Sequence, residues 1–431
     1  MKQIIFFFAV FFTTISWAQN AAYKFRIDLT KVNNDMVQVF LDAPEIKSDK
    51  IIYNVPKMVP GTYRIYDFGQ YSMDFEAFDK KGYAMSVNRL DDNRWEIDNA
   101  KNLAKISYWV EDTWDAKVKD LVFEPGGTNI EKDENIVLNN HGFFGYFDGL
   151  KNLKYELTVT RPDNFYGATG LTDIKTSGNT DVFYVNNYMD LVDSPIMYNV
   201  PDTTVIEVGG ADILISVYAK NKTVTSKEIA KNIASILEAQ KNYLGGKLPI
   251  DKYAFIIYLY AGQSGSGGSG ALEHSYSSFY YLPEMTAERI SGFLIDVAAH
   301  EFLHQMLEAT YAKRNADGDI IRNELGDIEV DKKKAIGIGM ELGKWVSEVQ
   351  GQDFINSQMN KRLQTAYGGS DVNVQMQEVL TTLSDALVSG DMVFEETAFD
   401  KLGGALRRTF QKMGMDIKFN TGKDVFNFIK D

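Results

Sequence analysis

The pentapeptide at residues 300–304, His-Glu-Phe-Leu-His, constrains the fold of this chain more than any other stretch. An apolar series with helical spacing leads into it: Ile290, Phe293, Leu294, Val297 and Ala298. This spacing predicts an amphipathic helix that packs against a core. On such a helix His300 and His304 lie one turn apart on the same face, so both imidazoles can bind a single metal ion. Glu301 lies beside them, about 100° around the helix axis.

Two imidazoles with an adjacent carboxylate are typical of a catalytic zinc site. Such a site holds zinc through three protein ligands and keeps one position for water. The metal lowers the pKa of that water, and we expect Glu301 to act as the general base that takes its proton. His300 and His304 are therefore the predicted metal ligands, and Zn²⁺ is the predicted cofactor. The alternative is a helix that merely carries two histidines and a glutamate.

The composition narrows the classes of partner. The chain has 431 residues, enough for two or three domains with cores of their own. Its formal net charge of −14 at pH 7 argues against nucleic acid, because phosphate binding requires basic patches. Cysteine is absent from the sequence, so neither a disulfide nor a thiolate ligand can form.

Residues 1–18 have the pattern of a secretory signal peptide. A basic start at Lys2 precedes an apolar run from Ile4 to Ile15, and Ser16 and Ala18 supply small residues before the expected cleavage site. The run is too short to span a bilayer comfortably, and no later stretch has the pattern of a membrane span. We therefore expect an exported protein, periplasmic or secreted, without a membrane span after cleavage.

Residues 19–205 predict a β-rich N-terminal domain. Apolar and polar side chains alternate with period two in several segments: Tyr23–Leu29, Met36–Leu41, Ala104–Val110 and Tyr155–Val159. Turn-forming clusters such as Asp79-Lys80-Lys81-Gly82 separate them. Many strands without a long helical pattern predict a β-sandwich-like domain. His141 is expected to be a core or loop residue of this region.

The pattern changes near residue 206 and predicts an α/β catalytic region over residues 206–310. Its expected elements are three strands and a helix: Ile213–Tyr218, the helix Ser226–Tyr243, Tyr253–Tyr260 and Leu272–Leu282. A glycine-rich stretch before the last strand contains a formal G-x-G-x-x-G pattern. That fingerprint requires a helix after the loop, so the expected strand argues against a dinucleotide site.

Four features together resemble the glycyl aminopeptidase family of exported zinc peptidases. They are Asn54-Val55-Pro56 with the following Val59-Pro60-Gly61-Thr62-Tyr63, the segment Gly270–His274, the segment Ala299–His304, and the order of the domains. The resemblance covers residues 20–306. It implies a thermolysin-like zincin architecture, of the gluzincin type, that removes small N-terminal residues such as glycine and alanine from peptides.

The same resemblance implies a substrate-binding role for the segment from Gly270 to His274. In zinc aminopeptidases, an edge strand with the pattern G-x-x-E-x carries a glutamate that binds the α-ammonium of the substrate. Glu273 has that position here, and Gly270, Ala271 and His274 belong to the same segment. A charge pair in a dry cleft would fix cleavage one residue from the N-terminus.

The resemblance ends after the metal motif. The third zinc ligand of the family is the glutamate of an E-G-x-T motif, and no Glu-Gly pair occurs in this sequence. Glu324 lies twenty positions after His304, which is the spacing in thermolysin-like enzymes, and it is the predicted substitute. Glu308, one turn after His304, is expected to point away from an open metal position.

Residues 311–431 predict a mostly helical C-terminal region, so the whole chain is expected to have an α+β multidomain fold. Two interpretations of this region stay open: a diverged subdomain of the peptidase, or a foreign segment joined after His304. Two functions also stay open. The first is a zinc aminopeptidase that acts on peptides. The second is an inactive peptidase-like protein that binds peptides or serves as a scaffold, since two histidines alone hold zinc weakly.

Overall fold

A computed structural model of the protein describes residues 22–62, 64–116, 121–243, 246–248, 250–262 and 269–294, with a few single positions between 313 and 425. The predicted signal peptide, the metal motif at 300–304 and Glu324 lie outside the described residues. The predicted helical region 311–431 lies almost entirely outside them as well.

The N-terminal region up to residue 199 is built from β-strands, as the sequence predicts. The first eight strands are β1 (Ala22–Asp28), β2 (Met36–Asp42), β3 (Lys50–Asn54), β4 (Ser72–Asp79), β5 (Val87–Asp91), β6 (Arg94–Asp98), β7 (Leu103–Glu111) and β8 (Asn129–Glu131). The next seven are β9 (Asn135–Leu138), β10 (Tyr146–Phe147), β11 (Lys154–Thr160), β12 (Tyr166–Ala168), β13 (Ile174–Ser177), β14 (Thr180–Val185) and β15 (Ile196–Asn199). Two short helices interrupt them, α1 (Asn140–Phe143) and α2 (Tyr188–Val192).

These strands form three sheets, so the simple sandwich expected from the sequence is too coarse a description. Sheet A has the order β13-β14-β11-β1-β2-β7-β4, sheet B the order β10-β3-β6-β5, and sheet C the order β12-β15-β9-β8. The period-two alternation is confirmed in β1, where Tyr23, Phe25 and Ile27 are buried and Arg26 is exposed. One apolar core collects side chains from all three sheets.

The next region consists of a fourth sheet, sheet D, and a long helix that packs on it. Its elements are β16 (Thr203–Val208), β17 (Ala211–Ala219), α3 (Ser226–Tyr243), β18 (Lys252–Tyr260), β19 (Gly270–His274) and β20 (Ser277–Pro283). The strand order is β16-β17-β18-β20-β19, and β17, β18 and β20 run parallel. The predicted domain boundary at residue 205 falls inside β16. The predicted helix at Ser226–Tyr243 is confirmed as α3.

The single strand predicted for Leu272–Leu282 is wrong. The structure has a hairpin there, with β19 and β20 antiparallel and a turn at Ser275 and Tyr276. Neither glycine nor proline occurs between Leu272 and Leu282, so the strongest sequence signals of a turn are absent there. The hairpin places β19 at one edge of sheet D, opposite β16, among the described strands.

The two faces of sheet D pack against different layers. On one face, Leu214, Ile256 and Phe279 contact Val137 and Met197 of sheet C. We call this the N-terminal face. The opposite face packs on α3 and on a helix that begins at residue 287: Ile213, Ile215, Phe255, Tyr280, Ile229, Ile233, Ile290 and Leu294. We call it the helix face.

The helix from residue 287 carries the start of the predicted apolar series. Ile290 and Leu294 are buried, as predicted, and Ser291 accepts a hydrogen bond from Asn232 of α3 at 2.5 Å. Phe293 is 36% exposed, so its predicted burial is wrong. Val297 and Ala298 lie outside the described residues. None of the described helices combines the length and apolarity that crossing a bilayer requires.

Candidate functional site

The edge strand β19 is the described element that carries predicted site residues. It pairs with β20 on one side and with no described strand on the other. An edge strand presents backbone N–H and C=O groups that can pair with an extended peptide. The segment Gly270–His274, which the sequence predicts as substrate-binding, forms this strand.

Strand geometry sends Glu273 and His274 to opposite faces of sheet D. Glu273 is paired with Ser278, and Ala271 with Tyr280, whose ring lies on the helix face. His274 is paired with Ser277 on the N-terminal face. Side chains alternate along a strand, so the two neighbours cannot reach the same ligand with their side chains. Glu273 shares its face with the helix from residue 287, which precedes the predicted metal motif in the sequence.

The Glu273 carboxylate lacks a partner in the part of the chain that the structure describes. Its Oε2 atom is enclosed, and no hydrogen-bond donor contacts it there. The Oγ atom of Ser278, across the hairpin on the same face, is likewise enclosed without a described partner. A buried carboxylate oxygen without a partner is costly, so this position favours a cationic group.

The His274 side chain is held by a carboxylate that sequence reasoning missed. Its Nδ1 atom lies 3.0 Å from Oδ1 of Asp193, and its side chain is 2% exposed. A carboxylate only accepts hydrogen bonds, so Nδ1 carries the proton and Nε2 is an acceptor when the ring is neutral. No described group bonds to Nε2. The two residues are 81 positions apart, and no local sequence pattern links them.

The remaining histidine of the described residues lies in the same buried region. His141 of α1 is 3% exposed, which agrees with its predicted place in the core or a loop. Burial lowers the pKa of His141 to about 3, and the nearby Asp193 only partly opposes this effect. The ring is therefore neutral at physiological pH.

Two glycines explain why β19 can lie so close to the N-terminal region. A Cβ atom on Gly270 would lie 2.8 Å from Cζ of Phe123. Gly61, with a φ of +82°, lies in the Val59–Thr62 turn, and a Cβ atom there would come 2.9 Å from Cδ1 of Leu272. The Val-Pro-Gly-Thr motif quoted for the family resemblance thus contacts the edge strand directly.

The residues of the predicted metal centre all lie outside the part of the chain that the structure describes. Within the described ranges no group of three histidine, cysteine, aspartate or glutamate side chains is arranged to hold a metal ion. His300, Glu301, His304 and Glu324 belong to the segments outside those ranges, and their roles stay predictions.

Comparison with known proteins supports the relationship to peptidases. Residues 24–199 match the family model of the Peptidase M61 N-terminal domain. The crystal structure of an aminopeptidase N family protein from Idiomarina loihiensis is similar, with a TM-score of 0.60, 18% identity, and coverage of 92% of this chain and 71% of that one. At this identity the similarity concerns the fold, whose multi-sheet, mostly-β N-terminal part is shared.

Two further solved structures are less similar. The M1 zinc metallopeptidase from Deinococcus radiodurans has 12% identity and a TM-score of 0.38, with coverage of 95% of this chain and 92% of that one. Legionella pneumophila aminopeptidase A has 11% identity and a TM-score of 0.43, with coverage of 95% and 47%. A search of curated proteins gave no significant match.

Proposed function

We propose that this protein is a zinc-dependent aminopeptidase of the glycyl aminopeptidase type that removes N-terminal glycine or alanine from peptides. One observation carries the proposal: an edge strand of sheet D bears Glu273, whose enclosed carboxylate oxygen has no partner among the described residues, on the face that the helix from residue 287 covers. The match of the N-terminal region to a peptidase domain supports it.

The peptide would lie along β19 as an additional strand. The main chain of Gly270 to His274 supplies donors and acceptors at the edge that no described strand covers, and Gly270 lets the strand pass beneath Phe123. Glu273 would bind the α-ammonium group of the substrate by a charge-assisted hydrogen bond. Because this group fixes where the chain begins, binding it sets cleavage at the first peptide bond.

The metal would be held by His300, His304 and Glu324. Two imidazoles and a carboxylate are donors that zinc accepts, so the set fits the ion by its chemistry. When bound, zinc supplies a Lewis acid that polarises the scissile carbonyl. Glu301, between the two histidines in sequence, would accept the proton of the attacking water and pass it to the leaving amine.

Substrate discrimination by Glu273→Gln tests the proposal. Glutamine keeps the size of the side chain and removes its charge, so the loss should fall on substrates with a free α-ammonium. Losing a buried charge partner costs about 2–4 kcal/mol, or roughly 30- to 700-fold in kcat/KM. The assay compares glycyl and alanyl peptides with their N-acetylated forms. Equal losses on both would show that Glu273 does not bind the N-terminus.

The second function, an inactive peptidase-like peptide-binding or scaffold protein, is favoured by one feature. The sequence has no Glu-Gly pair, so the third ligand of the resembled family is replaced or missing. Zinc content per chain after exhaustive dialysis separates the two functions. One zinc per chain supports the enzyme, and a chain that retains none supports the inactive alternative.

A further inference from the structure

We propose that Asp193 and His274 are positioning residues of the peptide site. In this role they clamp the β19–β20 turn to the N-terminal region and so fix the position of Glu273. The inference rests on the proposed function for its effect on substrate, but the clamp itself is a structural feature that can be measured without activity.

Three hydrogen bonds converge on one carboxylate. Oδ1 of Asp193 lies 3.0 Å from Nδ1 of His274, the last residue of β19. Oδ2 accepts from the backbone N–H of Ser275 at 3.0 Å and from its hydroxyl at 2.6 Å. Hydrogen bonds to an ionised acceptor are about twice as strong as neutral ones. The carboxylate therefore binds the turn through both side chain and main chain.

Asp193 is itself fixed within the N-terminal region. Asp193 directly follows α2, and its N–H donates to the carbonyl of Met189 within that helix. The amide of Asn140 in α1 donates to the carbonyls of Leu191 at 2.9 Å and Ser194 at 2.7 Å, on either side of Asp193. Two helices thus hold the segment that carries the carboxylate.

The turn also contacts a glycine of the N-terminal region. A Cβ atom on Gly170 would lie 2.5 Å from the carbonyl oxygen of Tyr276, so the two backbones are in close contact. The turn between β19 and β20 thus contacts both Asp193 and Gly170. These contacts hold the end of an edge strand that pairs, among the described strands, with β20 alone.

Glu273 precedes His274 and points to the opposite face, so its position depends on the clamp. Edge strands lack a second neighbour that would restrain them. A displacement of about 1 Å at a substrate-positioning group can cost about 100-fold in rate. A clamp one residue from Glu273 is well placed to prevent such a displacement.

The clamp uses Nδ1 of His274, so two variants that each retain a polar group near only one of the ring nitrogens can test it. His274→Asn keeps a donor near the Nδ1 position and loses Nε2, whereas His274→Gln keeps a polar group near the Nε2 position and loses Nδ1. We expect His274→Gln and Asp193→Ala to lower the ratio of kcat/KM for free over N-acetylated peptides by about tenfold or more. His274→Asn should restore most of that ratio. Asp163→Ala, which removes an exposed carboxylate of the same region, is the matched control.

The opposite ranking of the histidine variants would overturn the proposal, because Nε2 would then be the working atom. An unchanged ratio in Asp193→Ala would also overturn it. A purely structural role would lower Tm without changing this ratio in the folded protein.

Amide hydrogen exchange of residues 270–276 separates failure of the clamp from failure of the proposed function. Asp193→Ala and His274→Gln should speed exchange there, and His274→Asn should not. If the wild-type protein cleaves no peptide but this exchange pattern holds, the proposed function fails and the clamp stands. Unchanged exchange in Asp193→Ala would refute the clamp.

Discussion

At the scale of single residues, Glu273 and His274 show how strand alternation separates two neighbours. The Glu273 carboxylate faces the helices and lacks a described partner, whereas the His274 ring faces the N-terminal region and contacts Asp193. Burial has a different consequence for each, because an unpartnered carboxylate favours a cationic ligand and a paired imidazole fixes local structure. Residue identity therefore defines a role only together with the face that the residue occupies.

A test at the same scale concerns Glu301. If it is the general base, Glu301→Gln should remove the proton acceptor without removing a metal ligand. We expect the variant to retain one zinc per chain and to lose peptidase activity by about 10²–10⁴-fold. Metal analysis and steady-state kinetics on the same preparation check both parts. Near-full activity in this variant would exclude the proposed mechanism of hydrolysis.

At the scale of elements, the position of the edge strand β19 depends on a glycine that lets it lie against a large side chain of the N-terminal region. Gly270 lies beneath Phe123, and Leu272 belongs to the same apolar core as the sheets of the N-terminal region. The turn Glu124–Gly126 that follows Phe123 is held by Trp114, whose indole N–H donates to the carbonyl of Glu124 at 2.9 Å. The N-terminal region thus contacts β19, the strand along which the peptide would bind.

Replacing Gly270 tests this contact. The added methyl group of Gly270→Ala would meet the Phe123 ring at 2.8 Å, so we expect a loss of about 1–3 kcal/mol in the free energy of unfolding from overpacking. Phe123→Leu shortens the opposing side chain and should recover part of the loss in the double variant. Urea unfolding of the single and double variants measures both effects.

Gly292 provides the matched control. It lies in the helix from residue 287, and a Cβ atom there would contact nothing within 4 Å. Gly292→Ala should therefore stabilise the protein by up to about 1 kcal/mol, through helix propensity. A stabilising Gly270→Ala variant would show that Phe123 yields freely and does not constrain the strand.

At the scale of the whole molecule, sheet D lies between the N-terminal sheets and the helices. Its N-terminal face contacts sheet C through an apolar cluster, and a half-buried lysine adds a polar contact nearby. Nζ of Lys252 in β18 donates to the carbonyl of Leu171 at 2.8 Å. Burial lowers the pKa of Lys252 to about 8, and Asp212 partly opposes this effect. The contact between the two regions thus contains a titratable group.

This titration predicts a pH dependence of stability. Between about pH 8 and 10.5, the unfolded chain retains a proton that folded Lys252 has released, so this residue makes the free energy of unfolding rise with pH. Below that window both states are protonated and the slope disappears. In Lys252→Met, the rise should be lost. Urea unfolding at pH 7.5, 8.5 and 9.5 measures the difference from wild type.

The exposed Lys231 of α3 supplies the control for the lysine titration. Lys231→Met should follow the wild-type pH profile. A Lys252→Met variant whose profile matches both would mean that the folded protein does not hold Lys252 in a restricted environment.

Local periodicity made much of the described fold predictable. In β1, β2 and α3, the buried side chains recur with the period of the element, so the spacing of apolar residues in the sequence predicts them. The same reasoning failed at Phe293, because exposure depends on which neighbours cover a helix and not on its period alone. It also missed the turn at Ser275, which lies within an aromatic-rich stretch.

The sequence by itself determined the β-rich N-terminal region and the helix α3, and it predicts the metal motif at residues 300–304, because each depends on residues close together in the chain. Only the tertiary structure decided that β19 is an edge strand, that Glu273 and His274 face opposite layers, and that Asp193 holds the turn. These features join segments such as Asp193 and His274 that are 81 residues apart. Contacts at that distance arise from the order and packing of the sheets, which no local pattern of side chains encodes.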